Sequence, residues 1–504
     1  MAAKTLHSWF TDSVARVPEA PALVIAGVAL TYAELDAVSR DLAARLAATT
    51  GGPPPARVGL LAQRSVAAYA GYLGVLRGGG AVVPLNDSYP AERNRRILEL
   101  ASLDAVLADP GQDCSFADEA GVPVLRAGAG DVTAALRGAG TGAGAAGPDA
   151  RDADGTAYIL FTSGSTGVPK GVPIRHGNLD AFLRHHIERY EVGPGCRLSQ
   201  TFGLTFDPSV FDMFVAWGGG ATLVVPTREE LLDPVSFVTA NALTHWYSVP
   251  SIISLVRTAG TLAPGSMPSL RRSLFAGEQL TLEQAEAWAA AAPGSTVENL
   301  YGPTELSVTV TAYRLPADRA DWPTTSNATV PIGRVYPHLD HHVDPGTGEL
   351  RVRGPQRFAG YLDPSDNRGR FVEPSPDATD GAPTPEAWYR TGDRVALEDG
   401  ELVHLGRLDQ QVKIMGQRLE LGDVESAIRK WGGVGDVVVV AARVTGGEYR
   451  LTAVYSGDEA PPGELRGRLR PHLPAHMVPR RFVHREALPL NANGKVDRNA
   501  CGRF

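Results

Sequence analysis

The chain has 504 residues, of which 43% are hydrophobic and 21% are charged, so it has the composition of a globular protein that is too long for one hydrophobic core. Its formal net charge of −8 comes from 56 acidic and 48 basic residues, and this mildly acidic balance argues against a nucleic-acid surface. The stretch 234–256 carries no charged side chain, yet Asn241, His245 and Pro250 make it too polar for a membrane span. We therefore expect two or more domains, with neither nucleic acid nor membrane as a partner.

The cysteines and the N-terminus indicate the compartment. Cys114, Cys196 and Cys501 lie far apart in the sequence and form no CxxC pair, so neither a zinc site nor a disulfide framework is predicted. Unpaired thiols suit a reducing cytoplasm. The first residues lack the apolar core of a signal peptide. We expect a cytoplasmic protein.

Short apolar runs alternate with amphipathic stretches in the first third of the chain. The elements predicted there are, in chain order, a helix over 39–46 behind a cap at Thr31, a strand over 57–62, a helix over 67–76, a strand over 81–85, a surface connection over 127–155 and a strand over 157–160. This alternation is typical of a parallel sheet with crossover helices. The sequence therefore predicts an α/β fold for this part.

The pattern changes near Asp409. Beyond that residue the sequence predicts a helix over 424–431, a buried strand over 437–440 and a helix over 464–473. A segment of this length is sufficient for a small domain of its own.

A glycine-rich run over 161–171, FTSGSTGVPKG, directly follows the predicted strand at 157–160. Glycines let the backbone approach phosphate oxygens, and successive N–H groups form a cradle for an anion. Lys170 adds a mobile positive charge. The run is not a Walker loop, because Pro169 stands where that loop has the glycine before its lysine. The run predicts a phosphate-binding loop of another kind, and a flexible surface loop is the alternative.

This run closely resembles the phosphate loop of adenylate-forming enzymes, a family that includes acyl-CoA synthetases, luciferases and the adenylation domains of nonribosomal peptide synthetases. Six further segments resemble the motifs of that family in the same order: 30–35, 79–93, 299–305, 389–393, 406–409 and 493–498. The resemblance implies a large multi-subdomain α/β N-terminal core over residues 1–408 and a small mobile α+β C-terminal domain over 409–504. It places the hinge between them at Asp409.

The resemblance also implies ATP and Mg²⁺ as cofactors and assigns residues to them. The implied nucleotide contacts are Thr162, Ser163, Gly164, Ser165, Thr166, Gly167, Lys170, Gly277, Asn299, Tyr301, Asp393 and Arg407. Among these, Tyr301 stacks on adenine, Asn299 bonds the adenine edge and Asp393 accepts the ribose hydroxyls. Thr304 contacts phosphate. Glu305 follows it in a tight turn, and a carboxylate beside polyphosphate suits Mg²⁺.

Lys495 is the leading candidate for the catalytic cation. Attack of a carboxylate on the α-phosphate of ATP brings two anions together, so cations must neutralise charge in the transition state. Lys495 lies in a glycine-flanked turn near the C-terminus. The matching lysine of the family bridges the substrate carboxylate and the phosphate, whereas the alternative is an ordinary surface lysine.

Asp207 indicates the class of acid. In the segment 206–211 it matches the aspartate that binds the α-ammonium group in the amino-acid activators of the family, and the alternative is a cap for a helix that starts at Pro208. The implied substrate pocket consists of Asp207, Pro208, Phe211, Tyr247, Leu274, Ala276, Leu300, Val308, Thr309 and Lys495. Its walls favour a medium aliphatic side chain of the valine, isoleucine or leucine type, although Tyr247 or Thr309 could instead bond a hydroxyl.

The resemblance implies ATP-dependent activation of an amino acid to aminoacyl-AMP, with release of pyrophosphate. Transfer to the phosphopantetheine thiol of a peptidyl carrier protein follows, and we expect the carrier in trans, since no carrier segment follows Lys495 before Phe504. An acyl-CoA synthetase and a non-catalytic nucleotide-binding scaffold are the alternatives. Asp207 disfavours the first, and the intact Lys170 and Asp393 disfavour the second. The sequence leaves open whether a small MbtH-like helper protein takes part.

Overall fold

The computed structural model of the protein describes residues 3–51, 53–138, 153–162, 169–373, 383–409, 411–414, 417–430, 434–443, 449–489, 496 and 498–502. Within those ranges, none of the helices combines the length and the apolar character that a membrane crossing requires. All three cysteines are buried thiols.

The first part of the chain builds a mostly parallel sheet covered by helices. Its elements are α1 (Leu6–Arg16), β1 (Pro21–Ile25), β2 (Val28–Thr31), α2 (Tyr32–Thr49), β3 (Arg57–Leu61), α3 (Val66–Arg77), β4 (Ala81–Pro84), α4 (Ala91–Ala101), β5 (Ala105–Ala108), α5 (Ser115–Glu119), β6 (Val124–Arg126), α6 (Ala129–Gly138), β7 (Thr156–Thr162) and β8 (Lys170–Arg175). The strand order is β6-β5-β3-β4-β7-β8, and only β8 is antiparallel to its neighbour. This order confirms the predicted crossover sheet.

Two local predictions in this part had different outcomes. α2 begins at the predicted cap, because the Thr31 side chain accepts from the Glu34 N–H while the Glu34 carboxylate accepts from the Thr31 N–H at 2.8 Å. The surface connection predicted over 127–155 is wrong in its first part, which forms α6. Alanines favour a helix there, the Asp131 carboxylate accepts from the Gly128 N–H at 2.8 Å, and Val132 is buried.

The middle of the chain adds a second, larger sheet. Its elements are α7 (His176–Arg189), β9 (Arg197–Ser199), α8 (Pro208–Gly219), β10 (Thr222–Val225), α9 (Pro234–Ala240), β11 (His245–Ser248), α10 (Ser251–Thr258), β12 (Arg272–Phe275), α11 (Leu282–Ala291), β13 (Thr296–Tyr301), β14 (Thr311–Arg314) and β15 (Arg334–Val335). The order is β15-β14-β13-β12-β11-β9-β10-β1-β2, with parallel pairing from β1 through to β13. The carboxyl ends of β11, β12 and β13 therefore lie side by side, where open α/β sheets bind ligands.

A third, antiparallel sheet completes the N-terminal core. Its strands are β16 (Asp340–Val343), β17 (Glu349–Arg353), β18 (Phe371–Val372), β19 (Trp388–Glu398) and β20 (Glu401–Arg407). Short 3₁₀ helices cover Glu230–Leu232, Thr304–Leu306, Arg319–Asp321, Pro364–Asn367 and Ala475–Met477. The pairing of β19 with β20 places Asp393 opposite Arg407. This strand pairing fixes the positions of Asp393 and Arg407 beside each other.

The C-terminal segment forms a small α+β unit. Its elements are β21 (Gln411–Ile414), β22 (Gln417–Glu420), α12 (Leu421–Arg429), β23 (Val434–Arg443), β24 (Tyr449–Gly457), α13 (Pro462–Leu469), β25 (Arg481–His484) and α14 (Arg498–Cys501). A hydrophobic cluster between α12, α13, β23 and β24 gives it a core of its own. α13 is shorter than predicted, since Pro471 follows its end and cannot continue a helix. The predicted fold class is confirmed, and the boundary at Asp409 stays a prediction.

Candidate active site

A cleft of about 1050 Å³ lies at the carboxyl ends of β12 and β13, against β19 and β20. Five of the residues predicted to contact the nucleotide line it: Gly277, Asn299, Tyr301, Asp393 and Arg407. They come from four separate stretches of the chain, and the second and third sheets bring them together.

Asp393 is buried in the wall of this cleft and receives three hydrogen bonds. The Tyr301 hydroxyl donates to its Oδ2 at 2.6 Å, while Arg407 Nη1 and His404 Nε2 donate to its Oδ1 at 2.9 and 3.1 Å. Burial alone would raise the pKa of Asp393, but Arg407 and His404 outweigh burial and hold the pKa well below its usual range. Asp393 is therefore a carboxylate at neutral pH.

Arg407 also connects the cleft to the predicted hinge. Its Nε and Nη2 atoms donate to the two carboxylate oxygens of Asp409 at 2.6 and 2.8 Å, a bidentate pair. The guanidinium passes so close to Gly392 that a Cβ there would lie 2.5 Å from Arg407 Nη2, and Gly392 has a φ of +72°. The positive φ favours glycine at this position of β19, and a side chain there would also have to displace the Arg407 guanidinium.

The structure narrows what Asn299 can do at the adenine edge. Its Nδ2 group donates to the carbonyls of Val330 at 2.9 Å and Pro331 at 3.0 Å. Both amide hydrogens are therefore used within the protein, and the side chain can only accept through Oδ1. His404, which the sequence analysis missed, also lines the cleft, and its only sequence signal is a histidine within the apolar run that precedes the 406–409 segment.

Lys170 and Glu305 lie on either side of Tyr361. The Tyr361 hydroxyl donates to Glu305 Oε1 at 2.7 Å, and Lys170 Nζ lies 5.6 Å from the centroid of the Tyr361 ring. Lys170 also pairs with Asp366 at 2.8 Å. Thr162 ends β7 opposite Lys170. Tyr361 and Asp366 carried no signal in the sequence analysis.

Some predicted residues cannot be placed. Five residues of the predicted phosphate loop lie outside the described residues, namely Ser163, Gly164, Ser165, Thr166 and Gly167. Lys495, the candidate for the catalytic cation, also lies outside them.

Glu305 is the residue that would hold Mg²⁺. Across the described part of the chain there is no group of three or more metal-ligating side chains. Mg²⁺ commonly binds through one or two carboxylates together with substrate phosphates. The fully buried Glu305 carboxylate adjoins Thr304 in the pocket wall, and its hard oxygen donors fit that mode of binding.

A second pocket, of about 560 Å³, opens onto the first beside Gly277 and Asp393. Predicted substrate residues line it, namely Asp207, Pro208, Ala276, Thr304 and Val308. The structure therefore joins the predicted substrate residues to the predicted nucleotide residues in one continuous space.

Asp207 differs from an ordinary helix cap. It precedes Pro208 at the start of α8, but its side chain makes no capping hydrogen bond. The Thr304 hydroxyl bonds the carboxylate, whereas the buried Oδ2 atom has no hydrogen-bond partner. Burial raises the pKa of Asp207 to about 7, although the positive charge of Lys413 opposes the shift. The capping alternative is therefore not supported.

The remaining predicted pocket residues are buried but do not line this second pocket: Leu300 lines the nucleotide cleft, and Phe211, Tyr247 and Leu274 line a third, smaller pocket. Phe211, Tyr247, Leu274, Leu300 and Thr309 are each at most 2% exposed. The rings of Phe211 and Tyr247 pack edge to face with centroids 4.8 Å apart. The Thr309 and Tyr336 hydroxyls are 2.9 Å apart and bond each other, whereas the buried Tyr247 hydroxyl has no partner.

Val308 enters the pocket wall from a strained turn. Ser307 and Val308 have φ values of +58° and +76°, and the Thr309 N–H donates to the Ser307 carbonyl at 3.1 Å. This is a γ-turn with a positive central φ. A β-branched residue rarely adopts such a φ, and the strain is on the order of 1–3 kcal/mol. A Cβ on Gly302 would lie 2.5 Å from Thr309 Cα, so only glycine lets the turn pack here.

Two longer proteins are similar to this chain in sequence. The chain is 33% identical over 518 residues to tyrocidine synthase 3 of Brevibacillus parabrevis, which covers 99% of this chain and 8% of that protein. It is 35% identical over 520 residues to phosphinothricin tripeptide synthetase PhsC of Streptomyces viridochromogenes, which covers 99% of this chain and 45% of that protein. The chain thus spans less than half the length of either relative.

A solved structure shares the fold over nearly the whole chain. The Vibrio cholerae adenylation domain AlmE, solved in complex with glycyl-adenosine-5'-phosphate, is 27% identical with a TM-score of 0.81, and the match covers 99% of this chain and 98% of that one. Residues 10–362 match the AMP-binding enzyme family, and residues 423–495 match the AMP-binding enzyme C-terminal domain. With the cleft, the second pocket and the small C-terminal unit all in place, the chain belongs to the AMP-binding enzymes, a family that uses ATP.

Proposed function

We propose that the protein activates an aliphatic α-amino acid with ATP and then passes the aminoacyl group to the phosphopantetheine thiol of a carrier protein in trans. Asp207 carries the amino-acid part of this proposal. Its buried carboxylate has an unpartnered oxygen in a pocket that opens onto the nucleotide cleft. A buried carboxylate is costly unless it meets a cation, and the α-ammonium group of an amino acid supplies one.

The nucleotide binds in the larger cleft under this proposal. Tyr301 stacks on adenine, and Asn299 Oδ1 accepts from the adenine amino group. Asp393 Oδ2 already receives the Tyr301 hydroxyl and has room for one ribose hydroxyl. Oδ1 receives both Arg407 and His404, so a second ribose hydroxyl has to take the place of one of them.

The chemical step forms one bond and breaks another at the α-phosphorus. An oxygen of the amino-acid carboxylate attacks it, and the bond from the α-phosphorus to its bridging oxygen breaks to release pyrophosphate. Lys170, Thr304, the phosphate loop and Lys495 are the groups proposed to neutralise the charge that develops. Glu305 would hold Mg²⁺, which would neutralise further charge on the phosphates.

The pocket walls support an aliphatic side chain. Ala276 and Val308 line the open space, and each methylene buried against such walls contributes about 0.8 kcal/mol. The rings of Phe211 and Tyr247, which the family resemblance assigns to the substrate pocket, are almost fully buried and pack against each other. We therefore propose valine, isoleucine or leucine rather than an aromatic substrate.

Transfer to the carrier is the second half-reaction. The carrier thiolate attacks the acyl carbon, a C–S bond forms, and the C–O bond to AMP breaks. The two relatives described above are named as a synthase and as a tripeptide synthetase, and both are longer than this chain, which supports a partner beyond it. The bidentate Arg407–Asp409 pair joins the nucleotide cleft to the proposed hinge, about which the C-terminal domain reorients between the two half-reactions.

Exchange of labelled pyrophosphate into ATP tests the proposal. We expect the strongest exchange with an aliphatic amino acid and near-background exchange with the same acids lacking the amino group. Lys495→Ala should lower kcat by roughly 100-fold and serves as the negative control. Exchange with fatty or aryl acids alone would establish an acyl-CoA synthetase instead, and no exchange with any acid would favour a non-catalytic protein.

A further inference from the structure

We infer that Gln356 is a positioning residue for amino-acid selection, because its side chain holds the turn that places Val308 in the wall of the amino-acid pocket. This inference rests on the proposed function, since Val308 can select a side chain only if the pocket takes an amino acid. Gln356 itself does not line that pocket, so it acts through the backbone of the turn.

The Gln356 side chain is fully buried and makes an unusually dense set of contacts to one turn. Its Nε2 atom lies 3.1 Å from the Leu306 carbonyl, 3.3 Å from the Ser307 carbonyl and 2.8 Å from the Thr309 carbonyl. The Ser307 hydroxyl donates back to the Gln356 carbonyl at 2.7 Å. Both the side chain and the main chain of Gln356 therefore form hydrogen bonds with the turn over 306–309.

These contacts fix the orientation of the amide. With its oxygen and nitrogen exchanged, the Gln356 oxygen would face three carbonyl oxygens and no donor. In the observed orientation Oε1 lies 2.5 Å from His338 Nε2, which donates to it. Every polar atom of the side chain thus has a partner, and neither a carboxylate nor an apolar side chain can reproduce the set.

The turn needs hydrogen bonds from outside it because its own backbone conformation is unfavourable. Val308 has a φ of +76°, and a β-branched residue keeps such a φ only where the surrounding structure over-determines it. The 354–361 segment supplies that constraint at a second point, since the Phe358 N–H donates to the Glu305 carbonyl at 3.0 Å. Without the Gln356 amide, we expect Val308 to relax toward negative φ and its side chain to leave the pocket wall.

The test compares amino-acid selectivity in the wild type and in Gln356→Met, which keeps the length of the side chain but has no donor. Pyrophosphate exchange is measured with alanine, valine, isoleucine and leucine, and kcat/KM is taken for each. We expect a changed profile in which larger side chains gain at least about fivefold relative to smaller ones, because a pocket wall discriminates single methylenes by roughly 10–200-fold. The KM for ATP should stay within about twofold, since the nucleotide cleft does not include the turn.

A relative profile separates positioning from stability, because a loss of folded enzyme lowers all four rates equally. Asn94→Leu is the matched control. Asn94 is also a buried amide, and its Nδ2 donates to the Asn86 carbonyl at 2.8 Å, but it lies outside both pockets. This variant should lose stability and keep the wild-type profile.

Ser307→Ala provides a second, milder variant in case Gln356→Met does not fold. It removes only the bond to the Gln356 carbonyl, so we expect a shift in the same direction of about twofold. A wild-type enzyme that does not discriminate among the four amino acids, or two folded variants with unchanged profiles, would overturn the role of Gln356 while leaving amino-acid activation intact. Absence of amino-acid-dependent exchange in the wild type would overturn the proposed function, and the inference with it.

Discussion

Two buried carboxylates face the same continuous space and are in opposite electrostatic states. Asp393 is 5% exposed and receives donors from Tyr301, Arg407 and His404. Burial alone would raise its pKa, but Arg407 and His404 hold the pKa well below the usual range. Asp207 is 4% exposed and has an oxygen without a partner, and burial raises its pKa to about 7. Similar burial therefore gives opposite results, because only one of the two has a cation bonded to it.

The difference shows where each site obtains its positive charge. At Asp393 the protein supplies it, so the nucleotide cleft is organised before any ligand binds. At Asp207 even the nearby Lys413 does not bring the pKa back to the ordinary value, and under the proposed function the compensating cation arrives with the substrate. A site of this kind lowers the stability of the empty enzyme and favours ligands that carry an ammonium group.

Removing the preorganised carboxylate should have the largest effect. Asp393→Ala leaves the His404 and Tyr301 donors without the carboxylate that accepts from them, whereas Arg407 keeps Asp409 and the Thr391 carbonyl. We expect the free energy of unfolding to fall by about 3 kcal/mol and the KM for ATP to rise more than about tenfold. Denaturant unfolding measures the free energy of unfolding, and exchange kinetics measure the KM for ATP. A stability loss below about 1 kcal/mol would contradict the view that the donors around Asp393 stabilise its charge in the folded protein.

Asp207→Asn should separate function from stability. Loss of the ammonium contact should lower kcat/KM for amino acids by about 100-fold, with a smaller loss for the matching acids that lack the amino group. The free energy of unfolding at pH 8 should rise, because the substitution removes an uncompensated buried charge. Equal losses for both substrate types would show that Asp207 has a structural role only.

Asp212 offers a matched control on the same helix. It is 1% exposed, its Oδ2 atom has no partner, and burial raises its pKa well above the usual range, but it does not line the amino-acid pocket. Asp212→Asn should therefore leave the preference for amino acids over the matching acids unchanged. If it abolishes that preference as Asp207→Asn does, the position of the charge is not what selects the ammonium group.

The sequence predicted the parts of this comparison that depend on local patterns. The Thr31 cap, the alternating strands and the Asp393 and Arg407 motifs each occupy a short run of residues, and the structure places them where those runs indicate. Asp207 stood out because an aspartate before Pro208 sits in a recognisable segment. These positions could be recognised from the sequence because each of them lies within a short run of characteristic residues.

The parts that the sequence could not predict depend on contacts between distant segments. Gln356 contacts Thr309 across 47 positions, and Tyr361 contacts Glu305 across 56. His404 reaches Asp393 only because β19 pairs with β20. No local pattern specifies such partners, and the positive φ of Val308 also depends on the residues that surround it.

The two carboxylates should also differ in their pH dependence. Asp207 is protonated below pH about 7 in the empty enzyme, so kcat/KM for the amino acid should rise about tenfold per pH unit below 7 and level off near pH 8. Asp393 stays ionised throughout, so kcat/KM for ATP at a saturating amino-acid concentration should have no such step. Exchange rates measured from pH 5.5 to 8.5 test both expectations, and parallel profiles would contradict them.

The same pKa shift has a consequence for stability with a definite sign. The pKa of Asp207 in the folded state, about 7, exceeds the value of about 3.9 in the unfolded chain. Between these two pH values the folded state therefore binds more protons than the unfolded state. The contribution of Asp207 to stability is therefore fully present below pH about 4 and is lost as the pH rises through 7. Asp207→Asn should remove this loss, and comparison of the free energies of unfolding of the two proteins at pH 4, 6 and 8 measures it.

The smallest expected effect distinguishes the donors around Asp393. Tyr301→Phe keeps the aromatic ring but removes the hydroxyl that donates to Oδ2 at 2.6 Å, while Arg407 and His404 still bond Oδ1. A hydrogen bond to a charged group contributes about 1.5–3 kcal/mol, so the free energy of unfolding should fall by about 1.5 kcal/mol. The KM for ATP should change by less than about fivefold, because Oδ2 keeps its site for one ribose hydroxyl and can accept a second in place of the Tyr301 hydroxyl. A larger loss than that of Asp393→Ala would show that the phenol, and not the guanidinium, keeps this carboxylate ionised, and the contrast with Asp207 would then rest on a hydrogen bond instead of a cation.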